Sequence, residues 1–532
     1  MGDSRPGRPG PGPAQLLALL ALMALAAYQS ALVDLLAALL LLSLVAGGNH
    51  HRGRYLAGAL GLSLALVFLG DTADRALRYF FARPLDLQYD VFLLPALWDL
   101  LRDTSGVLAA TAAAVLLLVL LVALGRCYAW LLREAAAGLV AGAPLAILCL
   151  ASAATAALIP PDLLTRYARS AALVEGLYQA AVVSDDDELF ERELLIARAR
   201  AQSLPADLAG LSGQDFILFF VESYGRLLWD DPALRPDFQE TLRRVEDELG
   251  GAGYRIASRF LRSPTFGGAS WLAHMSVMSG VDCANQTRWE RLLASDIPPL
   301  PVYFRNRGYE TVSVMPAMWI DSWPEGEYFG FDRHVWAREL DYRGPKYAWS
   351  PMPDQFVLLR FQELALGEEA GPLFAELALT SSHSPFTVRP AFHRGDWQRD
   401  ALEATLATVD PERIPWSWYD LRAGEYLLAV TYSLRSVGQF LARQYPRAGT
   451  HVILGDHQAT KAIHRVDSEA LGHIRDVPMH VVTRDEALHR RLLELGFRDG
   501  MNPGEDTASL PMQELKALFL NLFHAPAKSA LD

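Results

Sequence analysis

Cysteine is nearly absent, with three in 532 residues. Cys127 and Cys149 fall in an oily N-terminal third and Cys283 stands alone beyond it. That excludes a disulfide framework, or a cysteine-based zinc site, from the remainder of the chain. Lysine is missing altogether from residues 1–160, where ten Arg face nine Asp and Glu. The other 38 basic residues are outnumbered by 52 acidic ones further on, so the net charge of −13 belongs entirely to the second part. A surface of that sign releases no phosphate counterions, which argues against nucleic acid as a partner. Charged residues make up only 20% of the chain against 51% hydrophobic ones. At this length, that balance points to a membrane part joined to a globular part.

Long apolar runs are what the first part has instead. Gly106–Gly125 and Ala135–Pro160 carry no charge, and each is long enough to cross a hydrocarbon core of about 30 Å. Tyr55–Gly70, bounded by Arg54 and Asp71, is a shorter third span, and Ala14–Gly47 is expected to form a hairpin turning near Tyr28-Gln29-Ser30. Five spans result. The short Arg-bearing loops (Arg5 and Arg8, Arg52 and Arg54, Arg126 and Arg133) share the cytoplasmic side, which places everything after Pro160 outside. Asp71–Asp103 mixes charges with apolar residues and suits either interfacial helices or a loop. The expected division is a transmembrane part over 1–160, a helical juxtamembrane linker over 161–213 and an extracytoplasmic α/β domain over 214–532. The acidic cluster Ser184–Glu188 within the linker lacks the spacing of a calcium loop and reads as a solvated helix start.

Beyond Gln214 the pattern changes to short apolar runs separated by helical stretches. Phe216–Val221, Thr311–Met315, Phe374–Thr380 and His451–Leu454 read as buried strands of a mostly parallel sheet. Ligands of such sheets collect at the carboxyl ends of the strands. Glu222 directly follows the first strand, where an unpaired charge is costly and needs a partner. Asp456 and His457 follow Gly455 at the end of another, offering a carboxylate oxygen and an imidazole nitrogen to a divalent ion. Gly267-Gly268-Ala269-Ser270 leads into apolar helical sequence, which puts Ser270 near a helix N-terminus that a phosphate could approach, or makes it a plain cap. His383, in Ser381-Ser382-His383-Ser384-Pro385, falls at a third strand end, where an imidazole could protonate a phosphoryl oxygen. Ser223 follows Glu222, and strand alternation predicts that its hydroxyl aims away from the metal. His274, one turn into the helix, reads as a structural histidine; His464 stays open between ligand and structure.

The order Glu, Gly-rich Ser, Ser-His-Ser-Pro, Gly-Asp-His resembles the alkaline phosphatase and sulfatase superfamily, and within it the membrane-anchored lipoteichoic acid synthases and phosphoethanolamine transferases. The interval from Ser270 to Ser279-Gly280 is similar to that family's interval from nucleophile to helix-ending Ser-Gly. The resemblance implies an N-terminal α-helical transmembrane bundle followed by an α/β sulfatase-like domain. It implies Glu222, Ser270, Asp456 and His457 as metal ligands, Ser270 as nucleophile in place of the family's usual Thr, and His383 as the substrate-side histidine. Trp319, Asp321 and Trp323 match an aromatic and polar substrate loop, with core packing of the tryptophans as the alternative. Ser270-Trp271-Leu272-Ala273-His274 lacks the Pro and Arg of a sulfatase's formylglycine pattern, and Ser223 stands where two-metal enzymes have a second acid, so one ion is expected, Mn2+ or Zn2+.

The function implied is transfer of a phosphoglycerol or phosphoethanolamine head group from a phospholipid donor to a glycan, lipid or glycolipid acceptor in the cell envelope, through a covalent phospho-Ser270. The setting implied is the bacterial cytoplasmic (inner) membrane, crossed several times, with the catalytic domain periplasmic or otherwise extracytoplasmic. Two alternatives stay open, a membrane-tethered hydrolase that uses water as acceptor and a pseudoenzyme that binds a lipid or glycan without turnover.

Overall fold

The computed structural model describes chiefly residues 50–81, 106–141 and 185–524, the last with breaks at 321–322, 346, 348–351, 368–370, 385, 387–388, 409–420, 469 and 505–507. Contacts divide the chain into two units, the first ending at Asp187 and the second running from Glu188.

In the first unit, helices His50–Phe81 and Val107–Ala141 hold stretches long and apolar enough to cross a membrane, Gly53–Tyr79 and Val107–Glu134. They touch backbone to backbone, since a Cβ on Gly61 would lie 2.4 Å from the carbonyl oxygen of Gly125. The first helix does not stop at Asp71 as the charge there suggested. It runs on through two i,i+4 pairs, Asp71 with Arg75 and Asp74 with Arg78, which let the charged turns stay helical. The expected hairpin over 14–47 and most of the expected span over 135–160 lie outside the described residues.

The second unit is built on one mixed sheet. Its strands are β1 Asp215–Val221, β2 Arg255–Arg262, β3 Glu310–Met315, β4 Arg333–Trp336, β5 Leu373–Leu379, β6 Gly449–Gly455, β7 Asp476–Thr483, β8 Arg498–Asp499 and β9 Leu510–Pro511. The order is β4-β3-β5-β1-β6-β7-β2-β8, with β9 alongside β2. From β4 to β6 every pairing is parallel; β7 is antiparallel to both β6 and β2. Two reversals restore direction, so β2 runs the same way as β1 and its carboxyl end opens on the same edge.

Alternation along β1 feeds two cores. Phe216, Leu218 and Phe220 face one of them, with residues of helices Asp185–Ser203, Ser270–Ser279 and Leu515–Phe523. Ile217, Phe219 and Val221 face the other, with helices Arg235–Gly251, Asp354–Ala365 and Leu421–Gln439. Residues 185–203, read from the sequence as part of a linker, thus pack into the globular unit through Phe190 and Leu194. Arg288 also bonds Glu193 at 3.0 Å, and Arg291 bonds Glu191 at 3.0 Å.

Phe216 is fully buried among the rings of Phe304, Phe374, Phe519 and Phe523, with centroids 4.9–6.0 Å away. Phe216→Ala is expected to destabilise the globular part by about 3–5 kcal/mol, seen as an earlier unfolding midpoint of the intact protein in detergent; an unchanged midpoint would show that the ring cluster is not closed.

Candidate metal and nucleophile site

Four strand ends converge on one edge. Glu222, the first residue past β1, still extends the ladder through its N–H to the carbonyl of Leu379. The chain then turns sharply, with Ser223 in the left-handed region at φ 57°. Asp456 and His457 follow β6, whose register sets Gly455 beside Val221. No other residue fits at Gly455, because a Cβ there would lie 1.9 Å from the carbonyl oxygen of Tyr224.

Ser270 arrives from β2 through Gly267 (φ 72°), Gly268 (φ 155°) and Ala269 (φ 62°), and opens the helix Ser270–Ser279. The Gly267 N–H donates to the carbonyl of Gln458, and the Thr265 hydroxyl donates to that of Gly268, so this loop is tied to the segment after β6.

Glu222, Asp456 and His457 are buried, and one donor atom from each lies within 4.8 Å of the others. Ser270 Oγ is 3.1 Å from Glu222 Oε2 and 3.2 Å from His457 Nε2. His457 Nδ1–H is committed to the carbonyl of Gln458 at 2.8 Å, which leaves Nε2 to face the cluster. Asp456 Oδ1 accepts the N–H groups of Ser223 and His457, at 2.8 and 2.6 Å. Burial would raise Glu222, but the nearby charges of His457 and His383 hold it below the usual carboxylate range. Burial and the charge of Glu222 push Asp456 up to about 7. Burial opposes a charged His457, yet the two carboxylates overcome it and raise the ring to about 9. Two buried acids crowded against one imidazole and one hydroxyl form a mixed oxygen and nitrogen donor set, and such a set fits one divalent ion.

His383 follows β5, with Nδ1 held by the carbonyl of Ser384 at 2.6 Å. The structure therefore brings Glu222, Ser270, Asp456 and His457 together, with His383 close enough for its charge to act on Glu222. The substrate loop is different. Trp319 is exposed, while Trp323 packs against Phe329, His334 and Trp336 with centroids 5.3–6.0 Å away, and Asp321 lies outside the described residues. His464 bonds Ser468 and the carbonyl of Ala459, both at 3.0 Å, and burial pushes it down to about 4; it braces a loop.

The expectation for Ser223 is overturned. Its hydroxyl donates to Glu222 Oε1 at 2.8 Å, because the left-handed turn ends the strand alternation on which that expectation rested. Three supporting residues were missed. Ser382 Oγ donates to the carbonyl of Glu222 and Ser263 Oγ to that of Asp456, both at 2.6 Å, and Gln458 holds both the ring and the glycine loop. Only their adjacency to the motifs could have pointed to them.

No family model matches the chain, and no curated protein matches it. Solved structures similar to it include the lipoteichoic acid synthase LtaP from Listeria monocytogenes, with 15% identity, TM-score 0.39, and 61% of this chain and 76% of that one covered. The Streptococcus pyogenes phosphoglycerol transferase GacH, in complex with sn-glycerol-1-phosphate, has 12% identity, TM-score 0.38, and covers 65% and 87%. A protein in the alkaline phosphatase superfamily from Vibrio parahaemolyticus has 14% identity, TM-score 0.36, and covers 62% and 74%.

Because His457 holds a proton up to about pH 9 in the ion-free site, an entering cation must displace it. Affinity for Mn2+ or Zn2+ is expected to fall as pH drops from 9 toward 7, and calorimetry in buffers of different ionisation enthalpy should show proton release. Asp456→Ala should abolish metal content with the fold retained; full occupancy in that variant would remove Asp456 from the site.

Proposed function

We propose that this chain is a membrane-anchored transferase that moves a phospho-alcohol head group from a phospholipid to an extracytoplasmic acceptor through a covalent phospho-Ser270. The observation that carries the reading is the position of Ser270 Oγ. It is hydrogen-bonded to a buried carboxylate at 3.1 Å, lies 3.2 Å from a buried imidazole, and stands on the first residue of a ten-residue helix. Backbone N–H groups at a helix start favour an anionic phosphate. A hydroxyl that donates to a carboxylate keeps its oxygen lone pairs free to meet phosphorus.

Glu222, Asp456, His457 and Ser270 would hold the metal. When bound, the ion neutralises phosphate charge and lowers the proton affinity of the Ser270 hydroxyl. Glu222, held below the usual carboxylate range, aims the hydroxyl without taking its proton, which passes to solvent as Oγ bonds to phosphorus. The bond from phosphorus to the diacylglycerol oxygen breaks, and a protonated His383 gives that oxygen its proton. The head group then rests on Ser270 as a phosphodiester. An acceptor hydroxyl loses its proton to the now neutral His383 and bonds to phosphorus, while Ser270 Oγ departs and regains a proton from solvent. Phosphoglycerol is the favoured head group: the phosphoethanolamine transferases that the motifs resemble carry disulfides in the outer domain, whereas Cys283 is buried and free.

Mass spectrometry of the purified protein after incubation with mixed phospholipids tests this directly. A phosphoglycerol adduct on Ser270 is expected, absent in Ser270→Ala together with transfer, and retained at measurable level in Ser270→Thr. Transfer at the wild-type rate by Ser270→Ala would end the mechanism. For the topology, Asp185→Cys in a background without native cysteines should label with an impermeant reagent in intact cells; labelling only after lysis would reverse the orientation.

A further inference from the structure

His274 and Glu376 are not used by the steps above, yet both are buried, His274 within the helix that Ser270 opens and Glu376 in the sheet against it. His274 Nδ1 lies 2.5 Å from Glu376 Oε1, and its ring stacks on Phe220 of β1 at 3.8 Å between centroids, 18° from parallel. Glu376 sits in the middle of β5, 2% exposed, opposite Leu218 of β1 and Ser313 of β3. Among the described residues the bond to His274 is the only hydrogen bond its carboxylate makes. A carboxylate buried at the centre of a parallel sheet is costly, and a well-packed apolar pair of similar volume is often as stable or more so. What the polar pair adds is direction.

We infer that His274 and Glu376 form a positioning pair that fixes the rotation of the helix Ser270–Ser279 about its axis, and with it the aim of Ser270. The inference rests on the reading of Ser270 as nucleophile. Three features of the helix create the need. Its start has no side-chain cap and follows three residues with positive φ, and the backbone tie that holds the entering loop, Gly267 to Gln458, lies three residues before Ser270. Its far end is held axially, where Lys516 donates to the carbonyls of Ser279 and Pro298. Of its other buried side chains, Leu272, Met275, Val277 and Met278 make apolar contacts, which are non-directional, and Ser276 and Ser279 bond the helix itself and the chain just after it. His274 follows Ser270 by four residues and therefore lies on the same face, roughly 40° around the axis. Through it the helix is registered on β5 by a hydrogen bond and on β1 by a ring stack. Those are the strands that end in Glu222 and lead to His383.

The test uses the full-length protein in detergent, with Ser270→Ala as the control. His274→Leu with Glu376→Leu removes both polar groups together and leaves no buried charge unpaired. The expected result is a wild-type melting temperature, Ser270 Oγ displaced by about 1 Å or more from Glu222 Oε2 in a crystal structure, and kcat lowered about 100-fold with little change in KM. Ser270 found in its wild-type contacts, or turnover at the wild-type rate, overturns the inference. Should the double variant fail to fold, two single exchanges decide. His274→Asn keeps a donor where Nδ1 stands and should retain most of kcat, whereas His274→Phe keeps the stack without the donor and should lose it; the reverse order overturns the proposal. Activity surviving in Ser270→Ala would instead count against the nucleophile reading, and the crystallographic position of Ser270 in the double variant would still judge the pair.

Discussion

Glu222 and Asp456 are two carboxylates that have been taken out of water side by side, and the site around them is arranged to make that tolerable. Bringing two like charges into a buried position is among the most expensive things a fold can do. Part of the compensation is local. Ser223 and His457 direct backbone N–H groups at Asp456, the Ser223 hydroxyl serves Glu222, and the imidazole of His457 lies 3.2 Å from both Glu222 and Ser270. These groups still leave one acid pushed toward neutrality, and a divalent cation is the charge that the set lacks.

The sheet makes the crowding unavoidable. β1 and β6 are adjacent and parallel, with Val221 level with Gly455, so the residues that follow them must meet at the same height. The glycine lets the β6 end pass against the Tyr224 carbonyl, and the left-handed turn at Ser223 delivers its N–H to Asp456 and its hydroxyl to Glu222. β2 belongs to the antiparallel side of the sheet, but two reversals point it the same way, and it leads to Ser270 from a separate direction. The two acids and the imidazole therefore follow adjacent strands, while Ser270 follows β2, which β7 separates from β6.

Legibility in the sequence followed burial. β1, β3 and β5 are flanked by parallel partners, β6 by one parallel and one antiparallel, and all four are covered on both faces, so each is a nearly continuous apolar run that reveals both its extent and the polar residue at its end. β2 carries Arg255, Arg259 and Arg262, and β7 carries Asp476 and Pro478; neither shows such a run and neither was read as a strand, although the sheet is mostly parallel as expected, in five of its eight pairings. Glu222, Asp456 and His457 could be found because charge after an oily run is conspicuous. Ser270 could be found because glycines precede it and a helix follows. Ser223 was misplaced for a specific reason: alternation is a property of extended backbone, and the strand stops one residue before it. Ser263, Ser382 and Gln458 act through contacts with main-chain carbonyls, and a sequence read one residue at a time contains no trace of which carbonyls will be near.

The bond from the Ser223 N–H to Asp456 joins residues 233 positions apart. A ligand set so dispersed has no precursor in any local segment, and no short stretch of the nascent chain could gather an ion before β6 has been made and paired. If these residues hold a metal, as proposed, its choice is settled by whatever ions surround the globular part when its sheet closes, and by their supply there at that moment. The same sequence closing in two media of different ionic content could finish with different metals.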